Sequence, residues 1–288
     1  MSRVSVAFPG TCGELFQGTV DGIRCLVSCP LNRVSRLEIS ATPDAGLSVP
    51  ASMSKTRRAL EIALSKSPLS GGLAVRRLES LPEGKGYASS TADILAALYG
   101  FARLSGVDLS PEEATLTALA VEPTDSIAWP GLALLDHRKG RIMEFLGVPP
   151  PMAVLVVDEG GRVDTEEFNR RDFDHVLAGQ AEVHRESLAL LREGLQSGDR
   201  AAVGEAASLS SAACYAILPR PLLERCRSLS RSLGGYGVCT AHSGTLYGIL
   251  LPQDFLNDAR SLTEAARRTL PEAVEISLHE LTPGGPRF

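Results

Sequence analysis

The chain has 288 residues, 44% of them hydrophobic and 22% charged, with a formal net charge of −5. A length of this order corresponds to roughly two domains and buries enough surface to need no metal or disulfide staple. There is no basic stripe, no apolar run near the ~20 residues of a membrane span and no signal-peptide-like start, so the composition excludes nucleic-acid and membrane classes and points to a soluble, cytoplasmic protein.

Residues 4–8 alternate apolar and polar and run into Pro9-Gly10, which predicts a strand followed by a glycine-containing segment. Residues 23–29 and 34–41 are further strand candidates. Residues 54–64 read as a helix with Ser54 as cap and Leu60, Ala63 and Leu64 on one face. A strand candidate at 72–77 precedes a glycine-rich loop, and Ile94, Leu98 and Phe101 then repeat at helical spacing. Ser110-Pro111-Glu112-Glu113 spells a capping box with proline at the first helical position, opening a helix towards Val121.

The triple proline 149–151 marks a division between residues 1–149 and 150–288. Beyond it, 152–157 reads as a buried strand and 172–195 as one long amphipathic helix, with Asp172 and His184 on its surface. Helices near 200–213 and 221–233 follow. A second glycine-rich stretch, 234–245, leads into a strand at 246–251. A helix near 254–269 and a strand near 274–278 complete an α+β pattern, and Pro283-Gly284-Gly285-Pro286 reads as a frayed tail. The six cysteines form no C-x-x-C pair and read as reduced, mostly buried thiols.

The first glycine-rich loop carries the most chemistry. In Pro82-Glu83-Gly84-Lys85-Gly86-Tyr87-Ala88-Ser89-Ser90-Thr91, small residues allow close backbone approach, and the helix that follows offers free N–H groups and a positive dipole end. That arrangement suits a phosphate. Ser89 or Ser90 would offer a hydroxyl to a phosphate-bound Mg²⁺, and Lys85, one of four lysines, a point charge. An ordinary strand-to-helix turn with serine caps fits the same residues. The spelling matches neither the Walker pattern nor G-x-G-x-x-G, which argues against a dehydrogenase.

Three segments in this order resemble the GHMP kinase superfamily. Residues 82–92 are similar to its central loop P-x-x-x-G-L-G-S-S-A-A, with Ala88 and Thr91 as small departures, and 234–244 is similar to its C-terminal glycine motif. The N-terminal P-G-T-C-G-E-L-F-Q-G, Pro9 to Gly18, looks most like that of the L-threonine kinases of cobalamin synthesis.

The resemblance implies an α+β, two-domain fold. Its N-terminal ATP-binding domain would be like ribosomal protein S5 domain 2, and its C-terminal domain ferredoxin-like. It implies transfer of a phosphoryl group from ATP to the side-chain hydroxyl of L-threonine, with Mg²⁺, for the nucleotide-loop linker of adenosylcobalamin. A homoserine or other amino-alcohol kinase is the alternative, and a homodimer is compatible.

It further implies that Pro82, Gly84, Lys85, Gly86, Tyr87, Ala88, Ser89, Ser90 and Thr91 hold the nucleotide. Ser90 and Glu122 would hold the metal, and Asp125 would act as catalytic base. Thr11, Cys12, Gly13 and Glu14, with Ser243 and Gly244 from the second half, would form the substrate side. Glu14 would pair with the substrate ammonium, and Arg24, Arg33 and Arg138 are candidates for its carboxylate. Asp125 also fits a turn-capping residue. Trp129 fits either a pocket wall or the core, and His242 a local packing role.

Overall fold

The alternating pattern of the first forty residues produces two strands longer than the sequence segments suggest. In the computed structural model, which describes residues 2–66, 71–162, 173–241 and 243–288, β1 spans Arg3–Val20 and β2 spans Ile23–Thr42. They form one antiparallel hairpin closed by Asp21-Gly22, both at positive φ, as a tight two-residue turn requires. The segment 9–18 therefore lies inside β1, not beyond a strand. Register shifts at Pro9, Thr11, Glu14 and Phe16 bend it locally, and Glu14 is a strand residue, not a turn residue. The two predicted strands at 23–29 and 34–41 are one.

Further along, β3 (Gly46–Ser48) pairs parallel with β4 (Gly72–Glu79), which pairs antiparallel with β2. Helix α1 (Ser54–Lys66) continues directly from a 3₁₀ turn at Ala51–Met53. Ser54 is thus already helical and does not cap. Helix α2 (Ser89–Ser105) ends at Gly106 in the left-handed conformation, and α3 (Pro111–Leu119) has the full predicted capping box. The hairpin β5 (Leu132–Leu135) and β6 (Met143–Gly147), unforeseen from sequence, attaches to β2.

In the second half β7 (Met152–Asp158) is buried on both faces. The predicted single helix over 172–195 is two, α4 (Asp174–Gly179) and α5 (Ala181–Ser197), separated at Gln180, whose backbone leaves helical geometry. Asp172 lies outside the described residues. His184 is on α5 but buried, with Nδ1 3.2 Å from the Thr19 backbone nitrogen, so its predicted surface position is wrong. Then come α6 (Arg200–Cys214), capped by Asp199, and α7 (Leu223–Ser232). Strand β8 (Gly237–Thr240), inside the second glycine-rich stretch, precedes β9 (Leu246–Pro252), α8 (Ala259–Thr269) and β10 (Glu275–Glu280).

The strands form one sheet in the order β10-β7-β9-β8-β1-β2-β4-β3, with the β5–β6 hairpin beside β2. The two halves of the chain meet at β1 and β8, through the pair Glu14↔Thr240. Period two on β7 divides its side chains. Val154 and Val156 join the core under β1, β2 and α2, whereas Ala153, Leu155 and Val157 join a second core with α7 and α8. Such burial on both faces explains why the segment reads as a continuous apolar run.

The C-terminal residues are pinned, not frayed. Ala7 and Arg287 exchange backbone hydrogen bonds, and the amide of Gly285 donates to the carbonyl of Ile127 at 2.8 Å. All six cysteines are buried free thiols. Among the described residues no helix is long and apolar enough to cross a membrane.

Candidate active site

The loop between β4 and α2 turns through three left-handed residues, Gly84 (φ +71°), Gly86 (φ +102°) and Ala88 (φ +56°). Alternation of this kind turns backbone N–H groups towards one point, where the N-terminus of α2 adds its dipole. Ala88 occupies the cap position, with no side-chain cap bond. The serines therefore do not cap the helix. A left-handed alanine costs about 1–2 kcal/mol, an expense characteristic of functional turns.

Both other glycine motifs hold this loop. From β1, Thr11 donates from Oγ1 to the Gly86 carbonyl at 3.0 Å and from its amide to the Tyr87 carbonyl at 3.1 Å. Gly13, at φ +63°, sits so close to Thr240 that a Cβ would lie 2.3 Å from its carbonyl oxygen. From the far side, the Thr245 amide donates to the Lys85 carbonyl at 2.7 Å. Gly244 lies against the same peptide, where a Cβ would be 2.2 Å from the Lys85 oxygen. Three segments distant in sequence thus converge because the pairing of β1 with β8 brings them together.

The convergence borders a cavity of about 290 Å³. Of the predicted residues, Gly84, Gly86, Tyr87, Ala88, Ser89, Ser90, Thr91, Glu122, Asp125, Glu14 and Ser243 line it. Thr11, Gly13 and Gly244 support the loop from behind. Cys12 is fully buried in the core, where desolvation and the neighbouring Cys239 and Cys29 push its thiol well up; it is not an activated thiolate. Pro82 lies before the loop, outside the lining.

Lys85 points elsewhere than predicted. Its Nζ is 2.8 Å from Asp158 Oδ2, and Asp158 Oδ1 accepts from Thr245 Oγ1 at 2.6 Å. Lys85 is a strut between the loop and β7 and not a lining cation. Lys85→Met is expected to cost about 2 kcal/mol of stability, the worth of a hydrogen bond to a charged group. It should leave binding of an anionic ligand in the cavity within about threefold, because Lys85 does not line it. Thermal unfolding and ligand titration together check this.

The reactive end of the cavity is polar. Ser90 Oγ donates to Glu122 Oε1, and Lys55 Nζ lies 2.5 Å from Glu122 Oε2. Three residues on, Asp125 receives the Thr91 hydroxyl at 2.9 Å. Burial pushes the Asp125 carboxyl up to about 6, with the Glu122 charge adding to the rise and the Thr91 hydrogen bond opposing it. A carboxylate with this affinity for protons is poised for general-base work near neutral pH.

The cations of the cavity wall are Lys55 and Arg77, neither of them anticipated. Arg77 pairs with Asp93 and lies 3.7 Å from Glu83. The only sequence signal for Lys55 was the scarcity of lysine. The three predicted arginines are not lining residues. Arg24 pairs with Asp174 at 2.6 Å, Arg33 lies over the Tyr87 ring at 4.8 Å, and Arg138 sits in the Asp136 turn. Trp129 belongs to the core, donating Nε1 to Glu112 at 2.9 Å. His242 lies outside the described residues.

Residues 54–128 match the family described as GHMP kinases N terminal domain. The chain is 30% identical over 262 residues to the L-threonine kinase of Salmonella typhimurium, covering 91% of this chain and 87% of that protein. It is 32% identical over 248 residues to the L-threonine kinase of Citrobacter freundii, covering 85% of each. In fold it is similar to a homoserine kinase from Cytophaga hutchinsonii, with TM-score 0.76 and 14% identity over 100% of this chain and 97% of that one. It is also similar to the mevalonate kinase of Methanococcus jannaschii, with TM-score 0.72 and 15% identity over 98% of each.

Proposed function

The chain belongs to the GHMP kinases, and from that premise we propose that it transfers the γ-phosphoryl group of ATP to the side-chain hydroxyl of L-threonine. The product would be O-phospho-L-threonine, a precursor of the aminopropanol linker in the nucleotide loop of cobalamin, made in the cytoplasm. The observation that carries the reading is the placement of a half-buried carboxylate with a raised pKa, Asp125, on the same small cavity as the glycine-rich loop at the start of α2. The 30–32% identity to two L-threonine kinases supports the choice of acceptor.

Phosphoryl transfer depends chiefly on positioning and charge neutralisation. The amides of residues 84–90 hold the phosphates from one side. Asp125 orients the acceptor hydroxyl and takes its proton as the oxygen attacks in line. Glu14, buried at the β1–β8 junction, places a negative charge where the ammonium group of an amino acid would sit, and Lys55 or Arg77 offers a cation to its carboxylate. Residues 150–288 close the site through Ser243 and through the clasp on the loop.

The adjacent Ser90 hydroxyl and Glu122 carboxylate are hard oxygen donors, the set Mg²⁺ uses alongside phosphate oxygens and water. They fit that ion and would hold it. When bound, Mg²⁺ neutralises charge on the β- and γ-phosphates.

Turnover of threonine, serine, homoserine and ethanolamine with ATP, side by side, tests the reading. Threonine is expected to have the highest kcat/KM, by about tenfold or more, the discrimination one methyl or methylene group provides. A higher kcat/KM for homoserine would overturn the assignment in favour of the amino-alcohol alternative.

A further inference from the structure

We propose that Thr91 is a positioning residue for Asp125, fixing which carboxylate oxygen faces the acceptor hydroxyl. This assigns to Thr91 a task other than holding nucleotide. It rests on the kinase reading above but not on the identity of the acceptor.

Thr91 is only 2% exposed and stands in the first turn of α2, one residue after Ser90. A hydroxyl has one proton and two lone pairs. Here the Thr91 oxygen accepts from the Thr124 hydroxyl at 3.1 Å and from the Asp125 amide at 3.3 Å. With both lone pairs engaged, the proton has one destination, Asp125 Oδ2 at 2.9 Å. The direction of this bond is therefore set by its surroundings and not by a free rotor. Threonine is also stiff at χ1, because two heavy atoms on Cβ restrict its rotamers.

Three consequences follow for the base. One lone pair of Oδ2 is committed to Thr91, which favours Oδ1 as the oxygen that receives the substrate proton. The Asp125 side chain is tied to the helix that carries Ser90, so base and phosphate loop move as one unit. The carboxylate is also stabilised as an anion against its burial, which keeps enough of it ionised near neutral pH. The central-loop pattern has alanine at the position of Thr91, and alanine can supply none of these.

The test compares Thr91→Val, which keeps the shape and removes the hydroxyl, with Thr91→Ser, which keeps the hydroxyl. Both are assayed with whichever of threonine, serine or homoserine the parent phosphorylates fastest. Thr91→Val is expected to lower kcat by about 10- to 100-fold, the range that misplacement of a catalytic group produces. The KM for ATP should stay within about threefold, and Thr91→Ser should hold kcat within about threefold of the parent.

A Thr91→Val kcat within about twofold of the parent would overturn the proposal. So would a rise in the KM for ATP at unchanged kcat, which would return Thr91 to nucleotide binding. Failure of Thr91→Ser to retain activity would assign the residue to methyl packing instead. If Thr91→Val loses its cooperative thermal transition, Thr91→Ala takes its place with the same expected outcomes. A parent that prefers homoserine defeats the threonine reading and leaves this comparison intact. A threonine kinase indifferent to Thr91→Val defeats this proposal alone.

Discussion

Asp125→Asn is expected to lower kcat by a factor of about 10²–10⁴, the usual contribution of a positioned general base. The substitution preserves shape and keeps an oxygen to accept the Thr91 hydroxyl, so the KM for ATP should change little. A second signature separates lost catalysis from lost structure. Burial raises the Asp125 carboxyl from the ordinary carboxylate range to about 6, so the folded protein binds this proton more tightly than the unfolded chain does. The stability associated with the protonated form is fully present below pH about 4 and is lost as pH rises through about 6.

At pH 8 the parent therefore carries an ionised, desolvated carboxylate that Asp125→Asn lacks. The variant should be more stable there, by about 3 kcal/mol at most, and the gain should vanish towards pH 4. In the parent, kcat/KM should fall below pH about 6 as the base protonates, and the variant should lose that limb. Thermal melts and pH–rate profiles on the same two proteins read both effects. A variant that is inactive and also destabilised at pH 8 would show that Asp125 serves structure before chemistry. The trade between a stable fold and a poised base is the one expected of an active site.

Local chemistry was legible in the sequence where neighbours in the chain are also neighbours in space. The capping box at Ser110–Glu113 and the loop ending at α2 depend on contacts a few residues apart, and both appear as expected. Asp125 and Glu122 share the cavity with that loop for a similar reason, because α3 and the turn after it fold back along α2. The strand character of the β1–β2 hairpin was visible at residues 4–8, 23–29 and 34–41, but its Asp21-Gly22 turn went unread. Its length was hidden because the register shifts interrupt the period-two pattern that sequence reasoning counts.

What escaped was set by partners far along the chain. Lys85 looks like a phosphate ligand until Asp158, 73 residues on, claims its ammonium. The tail 283–286 has a loop composition, yet residues 127 and 131 bind its backbone and residue 7 binds Arg287 just after it. His184 reads as a surface residue until β1 packs over α5 and its ring approaches Thr19. In each case composition described the residue correctly, and topology decided what faced it. The cations of the cavity wall illustrate the same limit, since nothing in a run of arginines distinguishes Arg77 from its neighbour Arg76, which faces outward to Glu38.

Arg220→Met is expected to destabilise the fold by about 3–5 kcal/mol, the cost of breaking a buried ionic network from one side. Arg220 is among the largest fully buried side chains of the protein. It donates to the carbonyls of Gly244 and Ala241, lies 3.4 Å from Glu159 and faces the Tyr247 ring at 5.8 Å. Glu159 in turn accepts the Tyr247 hydroxyl. Methionine fills a similar volume but leaves both carbonyls and the Glu159 carboxylate without this donor.

The damage should reach the site as well, because the segment that Arg220 holds is the one docked on the phosphate loop through Thr245 and Gly244. The KM for ATP should therefore rise, in contrast to Lys85→Met, where the clasp itself is intact. Arg220→Lys should not rescue either property, since one ammonium cannot reproduce the forked geometry that reaches two carbonyls and a carboxylate. A fall in thermal midpoint of roughly 10 °C for both variants is the expected result for a chain of this size. If Arg220→Lys melts within about 2 °C of the parent, a point charge suffices, and the clasp on the phosphate loop rests on backbone packing at Gly244 instead.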